Sequence, residues 1–182
     1  MENYFKRAVF DNFNKKVLPN KVLILLGARR VGKTELIKNY LKTVPAETYL
    51  QLNGEDINDA NLLQERSVVN YKRLLANIDL LVIDEAQTIP EIGLILKLIV
   101  DSIEGIKIIA TGSSVFDLNN TLGEPLVGRK NTMYLFPLAQ MEFSIQENYK
   151  QTTENLEERL LFGGYPELVH YEDWEEKKEY LY

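Results

Sequence analysis

Residues 27 to 34 read Gly-Ala-Arg-Arg-Val-Gly-Lys-Thr, and this stretch decides the fold. It is a complete G-x-x-x-x-G-K-[ST] phosphate-binding loop. The run before it, residues 21 to 26, is apolar and rich in branched side chains, as is typical of a buried strand. The run after it has apolar residues at helical spacing between positions 36 and 41. The motif therefore lies between a strand and a helix, which is the context that its mechanism requires.

The residue types in this loop have physical reasons. Gly27 and Gly32 let the backbone turn tightly with N–H groups facing an anion, and the next helix adds the positive end of its dipole. Lys33 is expected to reach the β- and γ-phosphates of a nucleotide, and the Thr34 hydroxyl to coordinate Mg²⁺. We predict that the whole loop binds nucleotide: Gly27, Ala28, Arg29, Arg30, Val31, Gly32, Lys33 and Thr34.

A second motif ends another apolar run. Residues 80 to 83 are Leu-Leu-Val-Ile, and Asp84 and Glu85 follow them. Ligands of open α/β sheets bind at the carboxyl ends of the strands. We predict that Asp84 holds Mg²⁺ through a water molecule and that Glu85 orients and deprotonates the attacking water. Taken alone, the pair could be an ordinary solvated strand end, but the phosphate loop upstream favours the functional interpretation.

A third apolar run, residues 106 to 110, ends in Thr111-Gly112-Ser113-Ser114. A polar side chain at the tip of such a strand could contact the γ-phosphate or the attacking water. We expect Ser113 or Ser114 to do this, with Thr111 a less favoured candidate. A serine at this point could equally cap the helix that follows, and one serine could cap while its neighbour senses the phosphate.

Strands alternate with helices along the whole chain. This order predicts an α/β protein with a parallel sheet covered on both faces and right-handed crossovers. Helices are expected at residues 3 to 18, 32 to 43, 58 to 77 (in one or two pieces) and from Pro90 onward, and strands at 21 to 26, 48 to 52, 79 to 83, 106 to 110 and 132 to 136.

Composition narrows the functional class. The chain has 182 residues, of which 45% are hydrophobic and 26% charged, as in soluble globular proteins. No apolar run approaches 18 residues and no cysteine is present, so we expect neither a membrane span nor a disulfide, and a cytoplasmic location. The net charge of −6 does not support general binding of nucleic acid, although a local basic patch stays open. We expect the single histidine, His170, to lie at the surface without a catalytic role.

Taken together, the motifs resemble the AAA-like P-loop ATPases of bacteria and archaea, in which an N-terminal ATPase domain precedes a C-terminal domain of unknown function. The resemblance covers nearly the whole chain. It implies a three-layer P-loop NTPase fold with a five-stranded parallel sheet in the order 5-1-4-3-2. Besides the loop, the matching pieces are 84–87 (Asp-Glu-Ala-Gln), 111–114 (Thr-Gly-Ser-Ser), 128–129 (Gly-Arg), 136–138 (Phe-Pro-Leu), 142–143 (Glu-Phe) and 163–167 (Gly-Gly-Tyr-Pro-Glu).

The resemblance also implies a division of the chain. Residues 1 to 150 are expected to form the ATPase domain, and residues 151 to 182 a helical tail that begins a C-terminal domain. Members usually continue well beyond this point, so we expect either a truncated chain or a short natural protein. Further copies of the chain, or a protein partner bound through the C-terminal domain, are the macromolecular partners that the resemblance suggests.

Arginines near the motifs leave alternatives open. The Gly128-Arg129 pair implies that Arg129 could act as an arginine finger on the γ-phosphate of its own or a neighbouring subunit, which can contribute about 10³ to 10⁵ in rate. An exposed basic turn is the alternative. Arg29 matches a position of the family, yet solvated side chains are as well supported for Arg29 and Arg30 as a catalytic duty.

These residues predict Mg²⁺-dependent binding and hydrolysis of ATP to ADP. Lys33, Glu85, Ser113 and Arg129 are the expected catalytic residues. The alternative is an ATP-gated interaction module with negligible turnover alone. Glu85 favours the ATPase, since P-loop kinases do not need that residue, and no basic lid or acceptor site for a kinase is visible. The preference for ATP over GTP is implied by the resemblance.

Overall fold

A five-stranded sheet organises the computed structural model, which describes residues 5 to 113 and 126 to 181. The strand order is β2-β3-β4-β1-β5, and every neighbouring pair is parallel. Read from the other edge, this is the predicted order 5-1-4-3-2, which is confirmed. The strands are β1 (Lys21–Leu26), β2 (Tyr49–Asn53), β3 (Leu80–Asp84), β4 (Lys107–Gly112) and β5 (Lys130–Tyr134).

Helices connect and flank these strands. Short 3₁₀ turns cover Ala46–Thr48, Ala86–Thr88 and Pro166–His170. Ser114, the predicted helix start after it and the segment up to residue 125 lie outside the described residues. The described helices are α1 (Phe10–Lys16), α2 (Lys33–Leu41), α3 (Ile57–Gln64), α4 (Val68–Leu74), α5 (Ile92–Ser102), α6 (Gln140–Phe143), α7 (Tyr149–Glu154), α8 (Leu156–Phe162) and α9 (Trp174–Leu181).

Two cores, one on each face of the sheet, produce the three layers. Side chains alternate along β1, so that Val22, Ile24 and Leu26 face one core while Leu23 and Leu25 face the other. The first core is closed by residues of α3, α4 and α5, and the second by residues of α1 and α2. Because both faces are covered, β1 is apolar along almost its whole length, which explains the continuous run in the sequence.

Some predicted boundaries differ from the structure. Helix α1 begins at Phe10 rather than near residue 3, because Phe5 instead packs edge-to-face on Phe143, with ring centroids 5.5 Å apart. Strand β5 covers Lys130–Tyr134 rather than 132 to 136, since its pairing with β1 begins at Val22 opposite Lys130. Helix α5 begins at Ile92, so Pro90 precedes the helix instead of lying in its first turn.

The parallel arrangement brings three predicted motifs to one edge of the sheet. The phosphate loop leaves the carboxyl end of β1, Asp84 ends β3, and Thr111 lies near the end of β4. The register of β3 against β4 pairs Ile83 with Ala110, so Asp84 and Thr111 follow side by side. In the described part of the chain, no helix is long and apolar enough to cross a membrane.

Candidate functional site

The phosphate loop curls tightly against the end of β5. A Cβ atom at Gly27 would lie 2.4 Å from the carbonyl oxygen of Leu135, so only glycine fits there. Gly32 has φ +93°, a conformation that favours glycine, and it precedes the first residue of α2. The first turn of an α-helix has N–H groups without intrahelical acceptors. The loop therefore presents backbone donors suited to an anion.

Lys33 lies inside this loop. Its side chain is 6% exposed, and its ammonium donates to the carbonyl oxygens of Gly27 (2.9 Å) and Ala28 (3.1 Å). Burial lowers the pKa of Lys33 from 10.5, while the carboxylates of Glu85 and Asp84 oppose that shift. A buried ammonium surrounded by carbonyl oxygens and facing carboxylates is placed to neutralise an incoming phosphate group.

Thr34 and Asp84 form the candidate metal centre. The Thr34 hydroxyl donates to Oδ2 of Asp84 at 3.1 Å, although the two residues lie 50 positions apart in the sequence. Mg²⁺ prefers oxygen ligands and is usually held by one or two protein groups together with substrate phosphates. One hydroxyl and one carboxylate beside a phosphate loop fit that pattern. Within the described ranges, no group of three or more His, Cys, Asp or Glu could hold a metal by itself.

Thr111 joins the acidic strand to its neighbour. Its hydroxyl is fully buried, donates to Oδ1 of Asp84 and accepts from the backbone N–H of Glu85 at 3.0 Å. Thr111, one residue before the end of β4, thus fixes both acidic residues, although the sequence favoured the serines that follow this strand. Ser113 comes directly after β4 and is half-buried. Its role as a sensor of the γ-phosphate stays a prediction.

Glu85 is held in a left-handed backbone conformation with φ +48°. Nε2 of Gln87 donates to Oε2 of Glu85 at 2.5 Å, and the Thr88 hydroxyl donates to the Glu85 carbonyl at 2.8 Å. Gly54 lies against the same carbonyl, because a Cβ there would be 2.5 Å from it. The side chain and backbone of Glu85 are therefore both fixed by neighbours. The sequence identifies Gln87 as part of the Asp-Glu-Ala-Gln match but indicates no role for it.

Arg129 lies at the amino-terminal ends of the strands, opposite to the carboxyl ends that carry the phosphate loop and Asp84. Its carbonyl accepts from Val22 N–H at the start of β1, whereas the phosphate loop follows the end of that strand. At about 3.3 Å per strand residue, the separation is roughly 20 Å. The guanidinium instead pairs with Asp101 at 2.5 Å. This corrects the expectation that Arg129 could reach the γ-phosphate of its own chain, while action on a neighbouring subunit stays a prediction.

The two loop arginines are exposed. The guanidinium of Arg30 lies 4.7 Å from the ring centre of Tyr180, and its Nε is 4.0 Å from Oε2 of Glu167. The C-terminal segment that carries these partners thus contacts the phosphate loop. His170, at the end of a 3₁₀ turn, is exposed, which confirms the expected surface position.

A buried ion pair behind the loop was missed by sequence reasoning. Arg7 is 6% exposed and Glu142 is 4% exposed, and Nε of Arg7 donates to Oε1 of Glu142 at 3.0 Å. The other guanidinium nitrogens of Arg7 donate to the carbonyl oxygens of Val31 (2.7 Å) and Phe136 (2.6 Å). The signal available in the sequence was the position of Arg7 between the apolar residues Phe5 and Val9 of the predicted N-terminal helix.

A phosphate loop at the end of the interior strand β1, with an acidic strand two positions away in the sheet, defines a P-loop nucleotide-binding protein. The AAA domain family matches residues 19 to 144, and the chain belongs to this family. Membership indicates a nucleotide-binding, ATPase-like function.

A relative from an archaeon extends this comparison. An uncharacterized protein of Methanocaldococcus jannaschii is 27% identical over 179 residues. The alignment covers 91% of this chain and 40% of that relative, so the chain spans well under half of the relative's length.

Proposed function

We propose that this chain binds Mg²⁺-ATP and hydrolyses it to ADP and phosphate. The observation that carries this proposal is the position of Asp84. Its carboxylate bonds to Thr34 of the phosphate loop through one oxygen and to Thr111 of the neighbouring strand through the other. The loop, the acidic strand and the strand between them are thereby joined at one point.

Charge stabilisation and positioning would supply most of the catalysis. Lys33 and the N–H groups at the start of α2 bind the β- and γ-phosphates, and Thr34 and Asp84 would hold the metal. Mg²⁺, when bound, neutralises charge on the phosphate oxygens.

Glu85 is the proposed base. It accepts a proton from water as the water oxygen bonds to the γ-phosphorus and the bond from that phosphorus to the ADP oxygen breaks. Because Oε2 of Glu85 accepts from Gln87, the carboxylate has to release Gln87 or use Oε1 to reach the water. Ser113 is proposed to contact the γ-phosphate, and Arg129 to act only in a neighbouring subunit.

Phosphate release from Mg²⁺-ATP tests this proposal. We expect turnover by the wild-type chain and loss of turnover in Glu85→Gln, with ATP binding retained. Lys33→Ala should lose tight binding, because the buried cation inside the loop is gone. Equal ATP affinity in wild type and Lys33→Ala would show that the loop does not bind phosphate as proposed.

The second candidate is an ATP-gated interaction module. Two observations favour it: Gln87 holds the proposed base, and Arg129 is far from the loop of its own chain. Such a module would bind Mg²⁺-ATP tightly but release no phosphate in either the wild type or Glu85→Gln. Turnover would then require a second subunit or a protein partner. Phosphate release measured at increasing concentration of the chain would reveal a requirement for the second subunit.

The preference for ATP is also a proposal. It is supported by membership of the AAA domain family. Competition between ATP and GTP for the same site tests it, and equal affinities would contradict it.

A further inference from the structure

The N-terminal segment contributes to the phosphate loop through a single buried side chain. Arg7 uses all three nitrogens of its guanidinium, on Glu142, on the Val31 carbonyl and on the Phe136 carbonyl. Val31 belongs to the loop, whereas Phe136 and Glu142 follow β5. One side chain therefore ties together three segments that are far apart in sequence.

The orientation of one peptide plane follows from this contact. In a trans peptide the C=O and the following N–H point in opposite directions. Since the Val31 carbonyl points toward Arg7, the N–H of Gly32 points away from it. In the described part of the chain, no protein acceptor bonds to that N–H. The guanidinium also lies directly behind Gly32, because a Cβ atom there would be 3.5 Å from Nη1 of Arg7.

Glu142 keeps the arginine in place. Its Oε1 accepts from Nε of Arg7 and from the backbone N–H of Ala8 at 2.7 Å, and its Oε2 accepts from the N–H of Ala139 at 2.8 Å. A carboxylate that accepts hydrogen bonds from three donors is fixed in orientation. The planar guanidinium that it positions can serve three acceptors at once, which a lysine ammonium cannot do in the same geometry.

We infer that Arg7 is a positioning residue of the phosphate loop, which holds the Val31–Gly32 peptide so that its N–H faces the bound phosphates. This inference rests on the proposed nucleotide binding. Arg7 contacts no phosphate itself. It removes an alternative orientation of the peptide, so that less conformational entropy is lost when the nucleotide binds.

Isothermal titration with Mg²⁺-ATP tests the inference in Arg7→Lys, with Arg66→Lys as the matched control. Arg66 pairs with Glu91 at the surface, where the two side chains are 42% and 64% exposed. We expect Arg7→Lys to raise Kd about tenfold or more and Arg66→Lys to leave it unchanged. If turnover is measurable, KM should rise while kcat changes little, because the contact acts equally on bound substrate and transition state. A role in folding alone would lower the active fraction and leave KM unchanged.

A double variant keeps the test decisive if Arg7→Lys does not fold. Arg7→Met with Glu142→Gln removes both buried charges at similar volume, a change that proteins often tolerate. We expect it to fold and still to bind Mg²⁺-ATP at least tenfold more weakly than wild type. Wild-type affinity in either variant would overturn the inference while leaving the proposed function intact. A wild-type chain that binds no Mg²⁺-ATP would instead refute the proposed function, and the inference with it.

Discussion

Replacement of Thr111 by valine tests the link between the two acidic residues. Valine has nearly the shape of threonine, but a methyl group replaces the hydroxyl. The variant loses the hydrogen bond to the Asp84 carboxylate and leaves the N–H of Glu85 without its acceptor. Both groups lie at the end of β3 and are partly buried, and they face Thr111, which is 0% exposed. The change should therefore affect both stability and the position of Glu85.

The magnitude follows from these two contacts. A hydrogen bond to a charged group contributes about 1.5–3 kcal/mol, and an unsatisfied buried donor costs about 1–3 kcal/mol. Because the two contacts share one hydroxyl, we expect a total loss of about 2–4 kcal/mol in the free energy of unfolding. Thr111→Ser keeps the hydroxyl and removes one methyl group, so it should lose only about 1 kcal/mol.

Urea denaturation followed by circular dichroism measures the two variants side by side. Phosphate release at saturating Mg²⁺-ATP gives the functional comparison, in which we expect Thr111→Ser to retain most turnover and Thr111→Val to lose it. If Thr111→Val is as stable and as active as Thr111→Ser, the hydroxyl does not organise the acidic pair, and the reasoning fails.

Three further predictions concern the loop and pH. Gly27→Ala should weaken Mg²⁺-ATP binding at least about tenfold in a titration, because its Cβ would lie 2.4 Å from the carbonyl oxygen of Leu135. Unchanged affinity would show that the loop can shift to accommodate the methyl group. Burial lowers the pKa of Lys33 below 10.5, so the ammonium should lose its proton, and the affinity for Mg²⁺-ATP should fall, before the pH reaches that value. Constant affinity from about pH 7 to 10 would contradict this prediction. Burial raises the pKa of Tyr71 to about 12, and its hydroxyl donates to the Leu63 carbonyl. The unfolded tyrosine loses its proton near pH 10, so Tyr71 should cost about 1.4 kcal/mol of stability per pH unit between about pH 10 and 12. Urea unfolding of Tyr71→Phe should show a smaller loss over that window, and an identical slope would refute the assignment.

The phosphate loop could be predicted because its information is local. The glycines, the lysine and the threonine lie within eight consecutive residues, and the flanking patterns identify the strand and the helix. Asp84 could be predicted for the same reason, as the end of an apolar run. The sheet order came from resemblance to a family, since alternation of strands and helices does not by itself decide which strands are neighbours.

Contacts that depend on register were harder to predict. Thr111 bonds to Asp84 because β3 and β4 pair with Ile83 opposite Ala110, and nothing within either run specifies that offset. The same limitation affected Arg129. Its neighbour in the sequence, Gly128, suggested a functional turn, but a residue that precedes a parallel strand lies at the amino edge, away from the ligand edge. Arg7 and Glu142 lie 135 positions apart, beyond the reach of any local pattern.

The two sides of the phosphate loop are held with unequal strength, and this difference indicates where the loop can move. Behind it, Arg7 donates to the Val31 carbonyl from a site that is 6% exposed, where hydrogen bonds from a charged group are strong. In front, Arg30 and Glu167 are 58% and 54% exposed and 4.0 Å apart, an arrangement that solvent and salt weaken. Adjustment to a nucleotide should therefore displace Arg30 from Tyr180 and Glu167 while the Val31–Gly32 peptide stays in place. Hydrogen exchange with and without Mg²⁺-ATP would show which side of the loop moves. Tyr180 belongs to α9, so the amides of α9 should lose protection only if Arg30 leaves Tyr180.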